Sequence, residues 1–153
     1  MNRLLIFGLG YCGQAIAERA RQAGFAVVAT SRSGAPGCIP FDAAAAADIA
    51  AATHILTTAA PDDAGDPVLA RHGAAIAAAP AVRWIGYLSS TVVYGNRDGG
   101  WVDEDTPPAP TQPRGQRRVD AENAWAALPV APVAMDIFRL AGIYGPGRSA
   151  FDD

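Results

Sequence analysis

Short apolar runs alternate with longer stretches of helical periodicity along the chain. The apolar runs are rich in Val, Ile, Leu and Phe and end at glycine, proline or small polar residues, as buried strands do. The predicted strands are residues 3–7, 25–30, 38–41, 54–58, 82–89 and 133–140. The predicted helices are residues 11–23, 43–52, 66–79 and 114–128. This alternation predicts an α/β protein with a doubly wound parallel sheet and helices on both faces, in three layers.

Two of the predicted helices have specific boundary signals. Gly24 follows the first helix, where a C-terminal cap commonly requires left-handed backbone. Asp66 precedes Pro67, which places a hydrogen-bond acceptor and a proline at the start of the third helix. The residues predicted to face the core from the first helix are Ala15, Ile16 and Ala20.

Composition excludes several classes of protein. The 153 residues are 50% hydrophobic, which is enough for one domain with a buried core. A net charge of −3 without a basic stripe makes nucleic acid an unexpected partner. Apolar stretches are too short and too often interrupted for a membrane span, so we expect a cytoplasmic protein. Cys12 and Cys38 lack the spaced partners of a disulfide framework or zinc site, and no metal is predicted.

The most informative motif begins where the first strand ends. Gly8, Gly10 and Gly13 form a G-x-G-x-x-G pattern between this strand and the first helix. In such a motif the glycines allow a sharp turn, the close approach of a pyrophosphate and tight helix–strand packing. Backbone N–H groups of Tyr11, Cys12 and Gly13 would face that anion at the positive end of the helix. The motif therefore predicts that residues 1–153 form a dinucleotide-binding Rossmann domain with strand order 3-2-1-4-5-6.

The end of the second strand indicates which dinucleotide is bound. An NAD-binding domain commonly places an acidic residue here to accept hydrogen bonds from the ribose hydroxyls. This chain has Ser31, Arg32 and Ser33 instead. A guanidinium among hydroxyls suits a 2′-phosphate, so NADP is favoured and NAD remains possible. In the alternative interpretation, Arg32 is a solvated loop residue.

Three further segments, together with the glycine motif, resemble the short-chain dehydrogenase/reductase superfamily. They are LSSTVVYG at residues 88–95, WVDEDTP at 101–107 and RLAGIYGPG at 139–147. Their order and spacing are similar to those of the extended, NAD-dependent epimerase/dehydratase-like branch and its atypical relatives. The resemblance implies an NADP-dependent oxidoreductase or a nucleotide-sugar epimerase-like enzyme that acts on an unknown small molecule. It also implies a homodimer formed through the helices at 66–79 and 114–127.

The resemblance assigns further residues to the cofactor. Asp42, after the third strand, corresponds to an acidic residue that contacts the adenine. It could instead be the N-cap of the next helix. Small residues at the end of the fourth strand, Thr58, Ala59 and Ala60, would line the cofactor.

The catalytic residues implied by the resemblance are incomplete. Ser90 matches the hydroxyl that holds the substrate oxygen, although it could simply cap a strand end. The Tyr-x-x-x-Lys pair of the family is replaced by Arg114 and Arg118. Since an arginine is not deprotonated in proteins, Arg114 could bind an anion but could not replace the tyrosine acid. Standard dehydrogenase chemistry is therefore in doubt.

The other aromatic and charged residues near these motifs have simpler interpretations. Tyr94 and Tyr144 are expected to be packing residues of Tyr-Gly turns. Exposed charge is expected along one face of the fourth helix, formed by Arg117, Arg118, Asp120 and Glu122.

Extended members of the family continue into a substrate-binding part that is absent from this chain. Either the sequence is a truncated product, or it is a nucleotide-binding half that a partner completes. Three functions remain open: an enzyme, a non-catalytic NADP sensor of the atypical branch, and a truncated remnant that binds little.

Overall fold

The computed structural model describes residues 1–32, 34–42, 45–130 and 132–149. Its strands are β1 (Arg3–Phe7), β2 (Ala26–Ser31), β3 (Ile39–Pro40), β4 (His54–Thr57), β5 (Trp84–Ser90) and β6 (Ala134–Leu140). Its helices are α1 (Tyr11–Gln22), α2 (Ala45–Ala51), α3 (Pro67–Ala77) and α4 (Pro113–Ala126), and a 3₁₀ turn, Thr91–Tyr94, follows β5. The order of strands and helices is the predicted one.

The six strands form one parallel sheet in the order β3-β2-β1-β4-β5-β6, as predicted. Phe7 at the end of β1 lies opposite Thr30 of β2 and Thr57 of β4. The strand order reverses between β1 and β4, so the carboxyl ends of three strands meet at the position where doubly wound sheets bind ligands.

Helices cover the two faces of the sheet unequally. One buried core contains Ile49, Ile76 and Trp125 from α2, α3 and α4. The core on the opposite face contains Ala17 from α1. Beside α1 an apolar groove of about 1040 Å³ runs along β4, β5 and β6, and Phe138 of β6 is partly exposed in it. The predicted three layers are present, with α1 as the only described helix on its face.

The buried side of α1 differs from the prediction. The fully buried residues of α1 are Gly13 and Ala17, whereas Ile16 and Ala20 are half-buried and Ala15 is exposed. The close approach of Gly13 to the preceding loop rotates the helix so that positions 13 and 17, one turn apart, face the sheet. The predicted cap is correct, since Gly24 follows the helix with φ +84°.

Several boundaries move by one or two residues. Strand β3 is only two residues long, because Pro40 has no N–H with which to extend the ladder. Helix α2 begins at Ala45, and positions 43 and 44 lie outside the described residues. The 3₁₀ turn after β5 was not predicted. No helix among the described residues is long and apolar enough to cross a membrane.

Asp66 connects α3 to α4. Its Oδ1 accepts hydrogen bonds from the backbone N–H groups of Val68 and Leu69, both at 2.9 Å, which confirms the predicted helix start. Its Oδ2 accepts a hydrogen bond from Nε1 of Trp125 at 3.0 Å. The side chains of Asp66 and Trp125 are both buried, so this carboxylate satisfies a buried indole N–H together with two backbone donors of the first helical turn.

We expect Asp66→Ala to lower the free energy of unfolding by about 2–4 kcal/mol, because it removes a helix cap and leaves the indole N–H of Trp125 without an acceptor. Urea denaturation measures the change. Asp62→Ala is the matched control, because Asp62 accepts one backbone hydrogen bond, from Ala64, at an exposed turn. It should cost about 0.5 kcal/mol or less. An equal loss of unfolding free energy in Asp66→Ala and Asp62→Ala would show that the buried contacts of Asp66 do not stabilise the fold more than the exposed contact of Asp62 does.

Candidate functional site

The glycine loop between β1 and α1 is built by close contacts. Gly8 has φ +98°, and a Cβ on it would lie 2.6 Å from Oγ1 of Thr58. A Cβ on Gly13 would lie 2.5 Å from the carbonyl oxygen of Gly8. Any other residue at these two positions would therefore force α1 or β4 to move. Gly10 differs, because no heavy atom would lie within 4 Å of its Cβ and the space beside it is open.

The first turn of α1 faces the loop with free backbone donors. Gly10 is the N-cap residue, and no side chain caps the helix there. The first N–H groups of a helix have no intrahelical acceptor, so Tyr11, Cys12 and Gly13 contribute partial positive charge. No acidic residue lies in this turn. The loop can therefore accept an anion without displacing a carboxylate.

Thr58, Ala59 and Ala60 follow β4 at the same edge of the sheet. Thr58 donates through its N–H to the carbonyl oxygen of Phe7 at 2.9 Å and through its hydroxyl to that of Gly8 at 3.0 Å. These bonds attach the end of β4 to the glycine loop. Ala59 is half-buried and Ala60 is exposed. The structure thus brings the predicted β1 and β4 segments together.

Ser31 and Arg32 lie at the carboxyl end of β2, next to the end of β1. Oγ of Ser31 accepts a hydrogen bond from the N–H of Ala35 at 3.3 Å, which shapes the turn. Arg32 is exposed and has no ion pair or hydrogen bond with another described residue. Its guanidinium is therefore available to a ligand. The third residue of the predicted group, Ser33, lies outside the described residues.

Asp42 is an exposed residue of the turn after β3. Its Oδ1 lies 3.6 Å from Nε of Arg71, and its carbonyl oxygen accepts a hydrogen bond from the same guanidinium at 3.5 Å. Positions 43 and 44, between Asp42 and the first described residue of α2, lie outside the described residues, so the alternative that Asp42 is the N-cap of this helix stays open. Asp42 stays close to the carboxyl ends of β2 and β3 and remains a candidate for the adenine side of the site.

Ser90 is the last residue of β5 and Arg114 lies in the first turn of α4, and neither hydrogen bond nor ion pair joins them in the described structure. Oγ of Ser90 accepts a bond from the N–H of Val92 at 3.3 Å and so caps the 3₁₀ turn. The hydroxyl proton remains able to donate to another group. Arg114 is exposed at the start of α4. The capping alternative for Ser90 is thus observed, and it does not prevent a role in binding substrate.

The interpretation of α4 as a solvated charged face is correct for Asp120, which is exposed, but wrong for Glu122. Glu122 is 4% exposed and accepts hydrogen bonds from Ser89 at 2.5 Å and from Nη2 of Arg139 at 2.9 Å. Hydrogen bonds to Glu122 raise the pKa of Arg139, which keeps its guanidinium charged. A desolvated ion pair between α4 and β6 therefore lies next to the end of β5. The arginine in the otherwise mainly apolar β6 is the sequence signal that could have revealed it.

Arg118, at the position of the family's lysine, is also internal to the fold. Its Nη1 donates to the hydroxyl of Tyr87 and to the carbonyl oxygen of Leu88, both at 2.9 Å. Burial raises the pKa of Tyr87 to about 12, although the charge of Arg118 opposes the rise. Tyr87 is therefore neutral near physiological pH, and Arg118 is occupied in holding β5 against α4.

The two tyrosines expected to pack in turns behave differently. Tyr94 is buried, its hydroxyl donates to the carbonyl oxygen of Asp103 at 2.7 Å, and the guanidinium of Arg139 lies over its ring. The prediction that Tyr94 is a packing residue is therefore correct. Tyr144 is 84% exposed, so the same expectation is wrong there. The Tyr-Gly pattern alone did not distinguish a tyrosine enclosed by a loop from one on the surface.

The chain was compared with known proteins in three ways. Neither a protein-family model nor a curated protein matches it. A solved structure of a conserved protein of unknown function from Silicibacter pomeroyi matches 99% of this chain at 43% identity, with a TM-score of 0.84. The chain spans 56% of the length of that protein.

Other matching solved structures are described with bound ligands. MoeE5, determined in complex with UDP-glucose and NAD, is 25% identical over 97% of this chain, with a TM-score of 0.76. The chain spans 57% of its length. A short-chain dehydrogenase/reductase superfamily protein from Agrobacterium tumefaciens with bound NAD is 21% identical over 90% of this chain, which covers 48% of it, with a TM-score of 0.69. The resemblance predicted from the sequence is confirmed in the structure: the chain is structurally similar to proteins described as NAD-dependent epimerase/dehydratases and spans about half of their length.

Proposed function

We propose that this chain binds a nicotinamide dinucleotide at the glycine loop and is the cofactor-binding part of an epimerase- or oxidoreductase-like protein. The observation that carries the proposal is the loop itself. Gly8 and Gly13 are required for packing, Gly10 leaves open space, and the first turn of α1 offers uncapped N–H groups beside that space. Similarity to structures described with NAD supports the same ligand class.

The residues present fit such a ligand at each end. Backbone N–H groups of residues 11–13 would hold the pyrophosphate. The adenosine would lie toward the end of β2, close to Ser31, Arg32 and Asp42. Ser33, which follows Arg32 in the sequence, belongs to the same predicted group. Thr58, Ala59 and Ala60 would line the middle of the site. The nicotinamide would then lie toward β5 and Ser90, because that is the other side of the switch point.

NADP is the proposed form of the cofactor. The exposed guanidinium of Arg32 has no described partner and stands where an acidic residue commonly selects NAD. An arginine can form charge-assisted and bidentate hydrogen bonds with a 2′-phosphate. The similar structures described above contain NAD, so NAD remains the competing cofactor that the titration below must exclude.

The chemistry of the bound cofactor is hydride transfer, and this chain offers one group for polarising a carbonyl. The Ser90 hydroxyl can donate to a substrate oxygen as negative charge develops on it. Arg114, exposed at the start of α4, can bind an anionic part of the substrate. A general acid equivalent to the family's tyrosine is missing from position 114.

A non-catalytic NADP sensor is the second candidate function. It is favoured by one observation: Arg118, which replaces the family's lysine, is committed to Tyr87 and Leu88 instead of facing an acid/base partner. A fold alone does not decide between the two functions. Homodimerisation through α3 and α4 and a cytoplasmic location remain predictions for either one.

Calorimetric titration of the chain with NADPH and separately with NADH tests the proposal. We expect micromolar binding of NADPH and weaker binding of NADH. Hydride exchange with a carbonyl compound would then support the enzyme, whereas binding without turnover would support the sensor. If neither dinucleotide binds, the proposed function is wrong for this chain and the interpretation as a remnant that binds little stands.

Gly10→Val should abolish or strongly weaken the binding of both dinucleotides, because the side chain would fill the open space beside the loop. The fold should be retained, since no atom lies within 4 Å of a Cβ there. Calorimetry measures binding and circular dichroism measures folding. Ala15→Val, which adds similar bulk at an exposed position one turn further along α1, is the control. Unchanged affinity in Gly10→Val would contradict the assignment of the loop.

Arg32→Asp should weaken NADPH binding by about 1.5–3 kcal/mol, the range for a hydrogen bond to a charged group, and hardly affect NADH. Arg21→Asp makes the same charge change at the far end of α1 and should affect neither cofactor. Titration of both variants with both cofactors gives the comparison. An equal loss for NADPH and NADH would show that Arg32 does not recognise the 2′-phosphate.

A further inference from the structure

The segment after β6 forms a closed turn beside the glycine loop. The N–H of Gly145 donates to the carbonyl oxygen of Arg148, and the N–H of Arg148 donates to that of Gly145, both at 2.9 Å. Gly147 supplies the left-handed backbone that the turn needs, with φ +68°. The two reciprocal bonds fix the direction in which Arg148 leaves the turn.

This turn rests on Tyr11, the first residue of α1. The Tyr11 hydroxyl donates to the carbonyl oxygen of Pro146 at 3.3 Å. The guanidinium carbon of Arg148 lies 5.6 Å from the centre of the Tyr11 ring. A side chain at position 145 would collide with the Tyr11 hydroxyl, so a glycine is required for the contact. The hydrogen bond thus joins the first residue of α1 to a residue 135 positions later in the chain.

The contact places a positive charge that no carboxylate in the described part of the chain balances. Arg148 is exposed, and no carboxylate of the described residues forms an ion pair with it. The first turn of α1 also lacks an acidic residue. An exposed cation–π contact alone contributes only about 0.5–1 kcal/mol, so packing on Tyr11 orients the guanidinium more than it stabilises the fold.

We propose that Arg148 is a phosphate-binding residue of the ligand site at the glycine loop. The proposal rests on the proposed function, since it assumes that a phosphate-bearing ligand occupies this loop. The planar guanidinium, held on the Tyr11 ring, can donate two parallel hydrogen bonds to phosphate oxygens. The phosphate belongs either to the dinucleotide or to a nucleotide-sugar substrate bound beside it, and the two sources are separated by the choice of probe.

The experiment is a calorimetric comparison of the unaltered chain with Arg148→Gln, Arg148→Lys and Arg21→Gln. The probes are NADPH, NADH and, with dinucleotide present, UDP-glucose. Arg148→Gln should weaken binding about tenfold or more to the probe whose phosphate it contacts, the effect of losing a charged hydrogen bond. Arg148→Lys should recover part of that loss because it keeps the charge. Arg21→Gln, an exposed arginine in the last turn of α1, should bind like the unaltered chain.

Each outcome bears on the proposal. A loss for both dinucleotides identifies the pyrophosphate as the source, whereas a loss for UDP-glucose alone identifies the substrate phosphate. If the unaltered chain binds dinucleotide and Arg148→Gln binds every probe equally well, the role of Arg148 is wrong while the proposed function stands. If the unaltered chain binds no probe, both fail. Circular dichroism of Arg148→Gln should match that of the unaltered chain, and a misfolded variant would show that Arg148 is structural.

Discussion

The packing of α1 onto the end of β1 is the constraint on which the site depends. Gly13 allows the helix to approach the carbonyl of Gly8, and Gly8 in turn allows the side chain of Thr58 to come close. The hydroxyl of Thr58 donates to that same carbonyl, so β1, α1 and β4 share one contact. The approach explains why α1 buries positions 13 and 17, and it places the uncapped N–H groups above the reversal in strand order. Without these contacts the open space at Gly10 would not lie at the sheet edge.

The glycine loop and the strand and helix that flank it could be predicted from local sequence patterns. The glycine spacing, the apolar strand before it and the helix after it all act over a few residues, so their geometry follows from the sequence. The strand order follows from the same motif, because the Rossmann fold that the glycine spacing predicts has the order 3-2-1-4-5-6. The asymmetric covering of the sheet was not predicted, because periodicity shows that a helix has a buried face but not which side of the sheet it covers.

The polar contacts around β5 and β6 could not be predicted in the same way. Glu122 has the sequence context of an exposed helix residue, and only the tertiary fold brings Ser89 and Arg139 to it. Burying a carboxylate is costly unless donors surround it, and here a hydroxyl and a guanidinium do so. The pair of Tyr11 with the turn at Gly145 was missed for the same reason. Contacts between distant segments depend on how the elements pack.

These contacts also show what the substitutions on α4 do to the chemistry. In the resembled family the lysine of the Tyr-x-x-x-Lys pair lowers the pKa of a phenol so that it can exchange a proton. Here Arg118 donates to the phenol of Tyr87, but burial outweighs its charge and the pKa rises to about 12. Tyr87 therefore remains neutral and serves as a packing residue. Among the described residues, exposed cations lie at the end of β2 (Arg32), at the start of α4 (Arg114) and on the ring of Tyr11 (Arg148), and the hydroxyl of Ser90 lies at the end of β5. Guanidinium groups and a serine hydroxyl are suited to binding phosphate and carbonyl oxygens but not to exchanging a proton near neutral pH, so any proton transfer here would need a group other than the family's pair.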